Sequence, residues 1–219
     1  MKSNILTPDQ ALFLECFARH RQLADAFYLT GGTALAAFYL GHRHSEDLDF
    51  FSDAEIDALA LDVFLKIERE KLGVSQIDFQ QSYNRNMYFL HLPAGVLKVE
   101  FTFFPFPALA APIESNRVRV DSLLDIGVNK LFAIYQRTTA RDFVDLYMIV
   151  ADQGYAIAEL VAKARAKFDW HIDPLQLGAQ FVKARDVADL PRMIADIAPE
   201  VWREFFLAEA RKLAPEILK

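Results

Sequence analysis

Cysteine is almost missing from this chain. Cys16 stands alone, which excludes an intramolecular disulfide framework and suits a reducing compartment. No apolar run approaches the roughly 20 residues that a membrane helix needs, and the opening MKSNILTPDQALF carries no hydrophobic stretch of the signal-peptide kind. A cytoplasmic, non-membrane protein is the expectation. A basic footprint is lacking as well. The net charge is -6, and the acidic excess is concentrated in residues 1–107, which hold 14 acidic against 9 basic side chains. That balance excludes a long face for duplex nucleic acid, but not a local patch for a nucleotide or one end of an RNA. Internal repeats and low-complexity tracts are absent.

What is present describes an ordinary globular protein. With 219 residues, 53% hydrophobic and 25% charged, the chain suffices for one large domain or two small ones. Nineteen phenylalanines predict an aromatic-rich core.

The periodicity changes along the chain. Thr7-Pro8-Asp9 reads as an N-cap, a proline at the first helical position and an acidic first turn, opening a helix to about Ala24. AFYLTGG is a short strand, TALAAFYLG a two-turn helix closed by Gly41, HRHSE a loop and DLDFFS a strand. AEIDALALDVFLKIEREKL is helical and stops at Gly73. VSQIDFQQSY, NMYFLHL and VLKVEFTFF follow as period-two strands. Pro105, Pro107 and Pro112 read as a linker. From Asp121 the pattern is helical, through DSLLDIGVNKLFAIYQR, then ARDFVDLYMIVAD, then three further helices. The fold class predicted is α+β: a mixed sheet flanked by helices over residues 1–112, followed by an all-helical half over 113–219.

The candidate chemistry starts at YLTGGTALAAFYLGHRHSEDLDFFS. A glycine pair at a strand end lets backbone approach a ligand closely, and a helix starting there points free N–H groups at an anion. Gly31, Gly32 and Thr33 are thus candidates for a phosphate turn. Asp47 and Asp49 lie two apart in a strand, so their carboxylates project from one face as hard oxygen ligands for Mg²⁺. Two such ions about 4 Å apart can clamp a triphosphate and activate a hydroxyl. In LKVEFTFF, Leu97, Val99, Phe101 and Phe103 form an apolar face, and Glu100 lies opposite with Lys98 and Thr102. An isolated acid in a sheet is costly to bury without a cation, so Glu100 is expected beside the aspartates. Taken singly, each feature has a plainer reading: a turn, a solvated charge pair, a glutamate paired with Lys98 or a distant arginine. Their order along the chain favours the joint reading. His42 and His44 resemble the start of a zinc site, but His20, His91 and His171 have no ligand spacing. Both histidines are expected to be exposed, and Arg43 to contact phosphate or acceptor.

Further on, Lys130, Ile134, Arg137 and Arg141 would share a face of one continuous helix, giving three cations suited to a triphosphate. Asp145, four residues past Arg141, would hold its guanidinium.

GGTALA, HRHSEDLDFF, VEFTFF and KLFAIYQRTTARDFVDLY, in that order, resemble the AbiEii/AbiGii-type nucleotidyltransferase toxins of the DNA polymerase beta-like nucleotidyltransferase superfamily, over roughly residues 25–150. The resemblance implies transfer of a nucleotide from an NTP to an acceptor, in some members the end of a tRNA, by a toxin made beside an antitoxin. It implies that Gly31, Gly32 and Thr33 form the phosphate turn, although the superfamily more often has Gly-Ser there. Asp47 and Asp49 become the metal pair and Glu100 the third carboxylate. Lys130, Arg141, Asp142 and Asp145 match the K…RDxxD segment, with Lys130 and Arg141 neutralising the transferring phosphate and Asp142 and Asp145 as organisers. Two other functions compete: a nucleotidyltransferase for a small molecule or protein hydroxyl, which the acidic N-terminal half suits, and a non-catalytic module that keeps the fold. The intact set of three acids speaks against the module.

Overall fold

The computed structural model describes residues 5–217, with side chains placed as far as residue 213. The chain divides into two compact units. The first holds the described residues up to Tyr39, His44–Pro107 and Ala111–Ser122; the second holds Leu40–Arg43, Ala108–Ala110 and the chain from Leu123 onward.

The first unit is built on a seven-stranded mixed sheet. Its strands are β1 (Tyr28–Thr30), β2 (Leu48–Ser52), β3 (Gln76–Ser82), β4 (Arg85–Leu92), β5 (Gly95–Phe103), β6 (Ile113–Ser115) and β7 (Val118–Val120), in the order β3-β4-β5-β2-β1-β7-β6. β2 runs parallel to β5 and antiparallel to β1, and β1 runs parallel to β7. The three period-two strands fall where the pattern placed them. β6 and β7 do not: they occupy residues 113–120, the start of the half expected to be all helical, and the sheet-bearing unit takes in residues up to Ser122. Three-residue strands are too short for alternation to announce them.

Around the sheet lie α1 (Pro8–Phe17), α2 (Arg21–Ala26), α3 (Gly31–Ala34) and α4 (Ala58–Leu72). Thr7 and Gln10 form a reciprocal capping box at the start of α1. The single helix expected to Ala24 is broken after Phe17 and resumes at Arg21. The helix after the glycines is one α turn continued by π-helical turns over Leu35–Leu40. α4 ends as expected at Gly73, whose left-handed φ of 70° lets its N–H reach the Arg69 and Glu70 carbonyls. Phe13, Phe17, Phe50, Phe64 and Phe101 are buried together, with ring centroids 4.5 Å apart for Phe17–Phe50 and 5.1 Å for Phe50–Phe101.

The second unit contains α5 (Leu123–Gln136), α6 (Ala140–Gln153), α7 (Ile157–Phe168), α8 (Pro174–Lys183) and α9 (Pro199–Ile217). Phe143, Phe181, Trp202 and Phe206 pack at its centre. Asp125 and Lys167 form a buried ion pair at 2.6 Å, and Asp125 also accepts the Leu109 and Ala110 amides.

Candidate active site

β1 stops at Thr30 because Gly31 adopts φ 72°, a left-handed conformation that side chains resist. A Cβ on Gly31 would stand 2.6 Å from Asp49 Oδ2. The glycine therefore does two things: it turns the chain into α3, and it leaves room for a carboxylate on the neighbouring strand. Thr30 makes no side-chain cap on the first turn of α3; its hydroxyl donates to Asp121 at 2.8 Å.

Thr33 differs from expectation. It is buried, and its hydroxyl donates to the Asp47 carbonyl at 2.5 Å, so it anchors the entry to β2 instead of facing a phosphate. Gln10 completes the frame. Its side-chain amide donates to the carbonyls of Ser45 at 2.9 Å and Glu46 at 3.0 Å. Three successive carbonyls before β2 are thus held by two side chains, which orients Asp47 and Asp49. Nothing in the local pattern marks Gln10, beyond its capping box, as a support for this loop.

Asp49 is the register partner of Thr30 on one side and of Glu100 on the other. The expected convergence of Glu100 on the D-x-D strand is present in the register: parallel partners in adjacent strands project from the same face. Glu100 is buried, but it is not bare. Arg85 Nε and Nη2 donate to its Oε1 and Oε2 at 2.5 and 2.7 Å, Thr102 Oγ1 donates to Oε1 at 2.9 Å, and Lys98 Nζ stands 3.3 Å from Oε2. Lys98 also stands 3.6 Å from Asp47 Oδ2. Burial alone would raise the Glu100 carboxyl; Arg85, Lys98 and Thr102 outweigh it and hold it below the ordinary range. The plain pairing with Lys98 and a distant arginine is realised, alongside the proximity to Asp49. Among the described residues no three carboxylate, imidazole or thiol groups are gathered closely enough to hold a metal ion.

The helical unit corrects several expectations. Lys130, Arg137 and Arg141 do not share a continuous helix, because α5 ends at Gln136 and α6 starts at Ala140. Arg141 is exposed at the start of α6. Lys130 is buried, with Nζ 2.7 Å from Asp142 Oδ1 and 2.7 Å from Asp145 Oδ2. Asp142 also accepts from Arg137 Nε at 3.0 Å and from Thr139 Oγ1 at 2.7 Å. Asp145 does not hold Arg141. It holds Arg43, through Nε at 2.6 Å and Nη2 at 2.8 Å, and His42 Nε2 at 2.7 Å. His42 and Arg43 are therefore buried members of an ion network, not an exposed loop. The physical reason is charge matching: two fully buried aspartates require cations, and the loop before β2 supplies one. Burial would raise both carboxyls. Lys130 and Arg137 hold Asp142 down at about 2, and Lys130 with Arg43 holds Asp145 well below its ordinary value.

An acid-bearing strand parallel to a D-x-D strand, beside a glycine turn in a mixed sheet, defines an α+β fold of the nucleotidyltransferase type. Residues 12–215 match the model of the family described as nucleotidyl transferase AbiEii toxin of type IV toxin–antitoxin systems, and the chain belongs to that family of nucleotidyltransferases. It is 29% identical over 194 residues to an uncharacterized protein of Aquifex aeolicus, covering 87% of this chain and 89% of that one. Among solved structures, JHP933 from Helicobacter pylori shares the fold at a TM-score of 0.60 and 20% identity, covering 97% of this chain and 94% of that one. MenT4, a nucleotidyltransferase toxin from Mycobacterium tuberculosis, does so at 0.58 and 16%, covering 94% and 82%. No helix among the described residues is long and apolar enough to cross a membrane.

Proposed function

We propose that this toxin nucleotidyltransferase works in the cytoplasm and moves an NMP from an NTP to an acceptor hydroxyl at the group of Gly31, Asp47, Asp49 and Glu100 on and beside the central strands of the sheet. The observation that carries the reading is the register pairing of Asp49 with Glu100 in parallel strands, with the Gly31 backbone against the Asp49 carboxylate. The donor set fits a divalent cation. Asp47 and Asp49 are partly exposed oxygen donors on one face, and these two would hold Mg²⁺; a second ion requires Glu100 as well. Held by Asp47 and Asp49, such an ion would supply Lewis acidity for a phosphoryl oxygen and for the attacking hydroxyl. The residues do the rest. Amides of the turn at residues 31–33 receive phosphate oxygens, Gln10 and Thr33 keep the aspartates in place, and Glu100 takes the acceptor proton once Arg85 and Lys98 have turned away from it. Arg137 and Arg141 are the cations of the K…RDxxD segment that reach solvent. Lys130 is assigned to holding Asp142 and Asp145.

The acceptor proposed is the end of an RNA such as tRNA, with an antitoxin as protein partner. The acidic first half of the chain favours a compact acceptor as the second reading. The deciding experiment incubates the protein with Mg²⁺ and each α-labelled NTP, once with total RNA and once with cell protein. Label should enter RNA with wild type and not with Asp49→Asn, whose circular dichroism should be unchanged. Undiminished transfer by Asp49→Asn would remove the assignment.

A further inference from the structure

Glu100 is already engaged by cations of the chain itself. A carboxylate offers about four acceptor sites; three hydrogen bonds, from Arg85 Nε, Arg85 Nη2 and Thr102 Oγ1, fill most of them, and Lys98 Nζ forms an ion pair with Oε2 at 3.3 Å. Lys98 also reaches toward Asp47, at 3.6 Å. The two strands that flank β5 thus bring a cation and the D-x-D acids to one face: β4 supplies Arg85, opposite Thr102, while β2 sets Asp49 beside Glu100.

A divalent cation that uses Glu100 therefore competes with Arg85 and Lys98 for the carboxylate. The displaced group is neither trapped nor far from solvent. The Arg85 side chain is 47% exposed and Lys98 is 25% exposed, against 5% for Glu100. The anion is fixed and buried, whereas the cations are long, flexible and able to turn outward. A nucleoside triphosphate complexed with a divalent cation brings both charges needed for such an exchange.

We propose that Arg85 and Lys98 are a counter-ion lock on the third carboxylate, and that they pass from Glu100 to the phosphates of the nucleotide when a divalent cation takes their place. The proposal rests on the metal reading of Asp47 and Asp49 given above and adds a regulation to it. The metal competes with Arg85 and Lys98, and the nucleotide recruits them. Metal and triphosphate consequently bind in support of one another, and each binds less well alone.

The lock predicts effects of opposite sign from one substitution. Arg85→Ala should bind Mn²⁺ tighter, by about tenfold for the loss of charge-assisted hydrogen bonds that the metal no longer has to break. The same variant should bind inorganic tripolyphosphate, in the presence of Mn²⁺, about tenfold more weakly. Lys98→Met should move both affinities the same way by a smaller factor, because its contacts are longer. Mn²⁺ occupancy is read by electron paramagnetic resonance and tripolyphosphate by calorimetry, so neither readout depends on turnover. Arg85→Lys, which keeps the charge and loses the two-point contact, serves if Arg85→Ala does not fold; it should fall between wild type and Arg85→Ala on both axes. Mn²⁺ binding that is lost in Asp49→Asn yet unchanged or weaker in the Arg85 and Lys98 variants overturns the lock alone. Mn²⁺ binding that ignores Asp49→Asn overturns the metal reading, and the lock with it.

Discussion

Replacing Lys130 by methionine should destabilise the protein by about 3 kcal/mol near neutral pH, toward the low end of what is usual when one partner of a buried ion pair is removed. The structure sets the magnitude. Lys130 Nζ lies 2.7 Å from two carboxylates whose side chains are fully buried. The Asp142 carboxyl titrates at about 2 instead of 3.8, with Lys130 the leading cause that lowers it, and such a shift corresponds to about 2 kcal/mol. Asp145 adds a contribution in the same direction. Neither acid is left bare, since Arg137 and Thr139 stay on Asp142 and Arg43 and His42 on Asp145; this keeps the loss below the upper range. For a chain of this size the melting temperature should fall by about 10 °C. The pH dependence is the sharper test. A carboxyl whose folded pKa is depressed stabilises the fold above its ordinary pKa, and that stabilisation is lost as pH falls through the folded value. Wild type should therefore weaken between about pH 4 and pH 2. In Lys130→Met the share of that contribution due to Lys130 is missing at every pH, so the gap between the two proteins should narrow on acidification. Urea unfolding followed by circular dichroism, near pH 7 and again near pH 3, measures it. A gap that stays constant, or one under about 1 kcal/mol at neutral pH, would refute the electrostatic argument.

Three more consequences can be checked independently. Gly31→Ala places a Cβ 2.6 Å from Asp49 Oδ2 at a φ of 72°, so nucleotide transfer should drop by about a hundredfold or more while the circular dichroism spectrum persists; full activity would show that Asp49 need not sit there. Thr33→Val removes the donor to the Asp47 carbonyl and should lower stability by about 1–2 kcal/mol in urea unfolding; wild-type stability would show that the hydroxyl anchors nothing. Burial and Glu68 push the Cys16 thiol up to about 11, so a colourless-to-yellow disulfide reagent at mildly alkaline pH should stay unreacted until the protein unfolds. Prompt reaction of the native protein would contradict that burial.

Much of the first unit was legible residue by residue. β3, β4 and β5 follow from a period of two, α4 from its 3.6-residue period and Gly73, and the α1 start from Thr7-Pro8. The D-x-D pair, the acid of β5 and the glycine turn were readable because each is a local pattern with a direct chemical meaning. β6, β7 and the break after Phe17 were not, since three residues of strand or a one-turn interruption leave no periodic trace. The reading of Lys130, Arg137 and Arg141 as one row failed for a related reason: a spacing of three and four shares a face only while the helix continues, and residues 137–139 lie between helices.

Chemical identity and local repeat, then, were determined by the amino-acid order alone: which segments alternate, where backbone can turn, which positions carry acid or base. Partnership was decided only by the folded chain. Whether Glu100 faces Asp49, and whether Arg85, Lys98, Arg43 and His42 are free or engaged, depends on strand register and on burial. A charge removed from water must find its opposite wherever the fold happens to bring one, and distance along the chain carries no information about that.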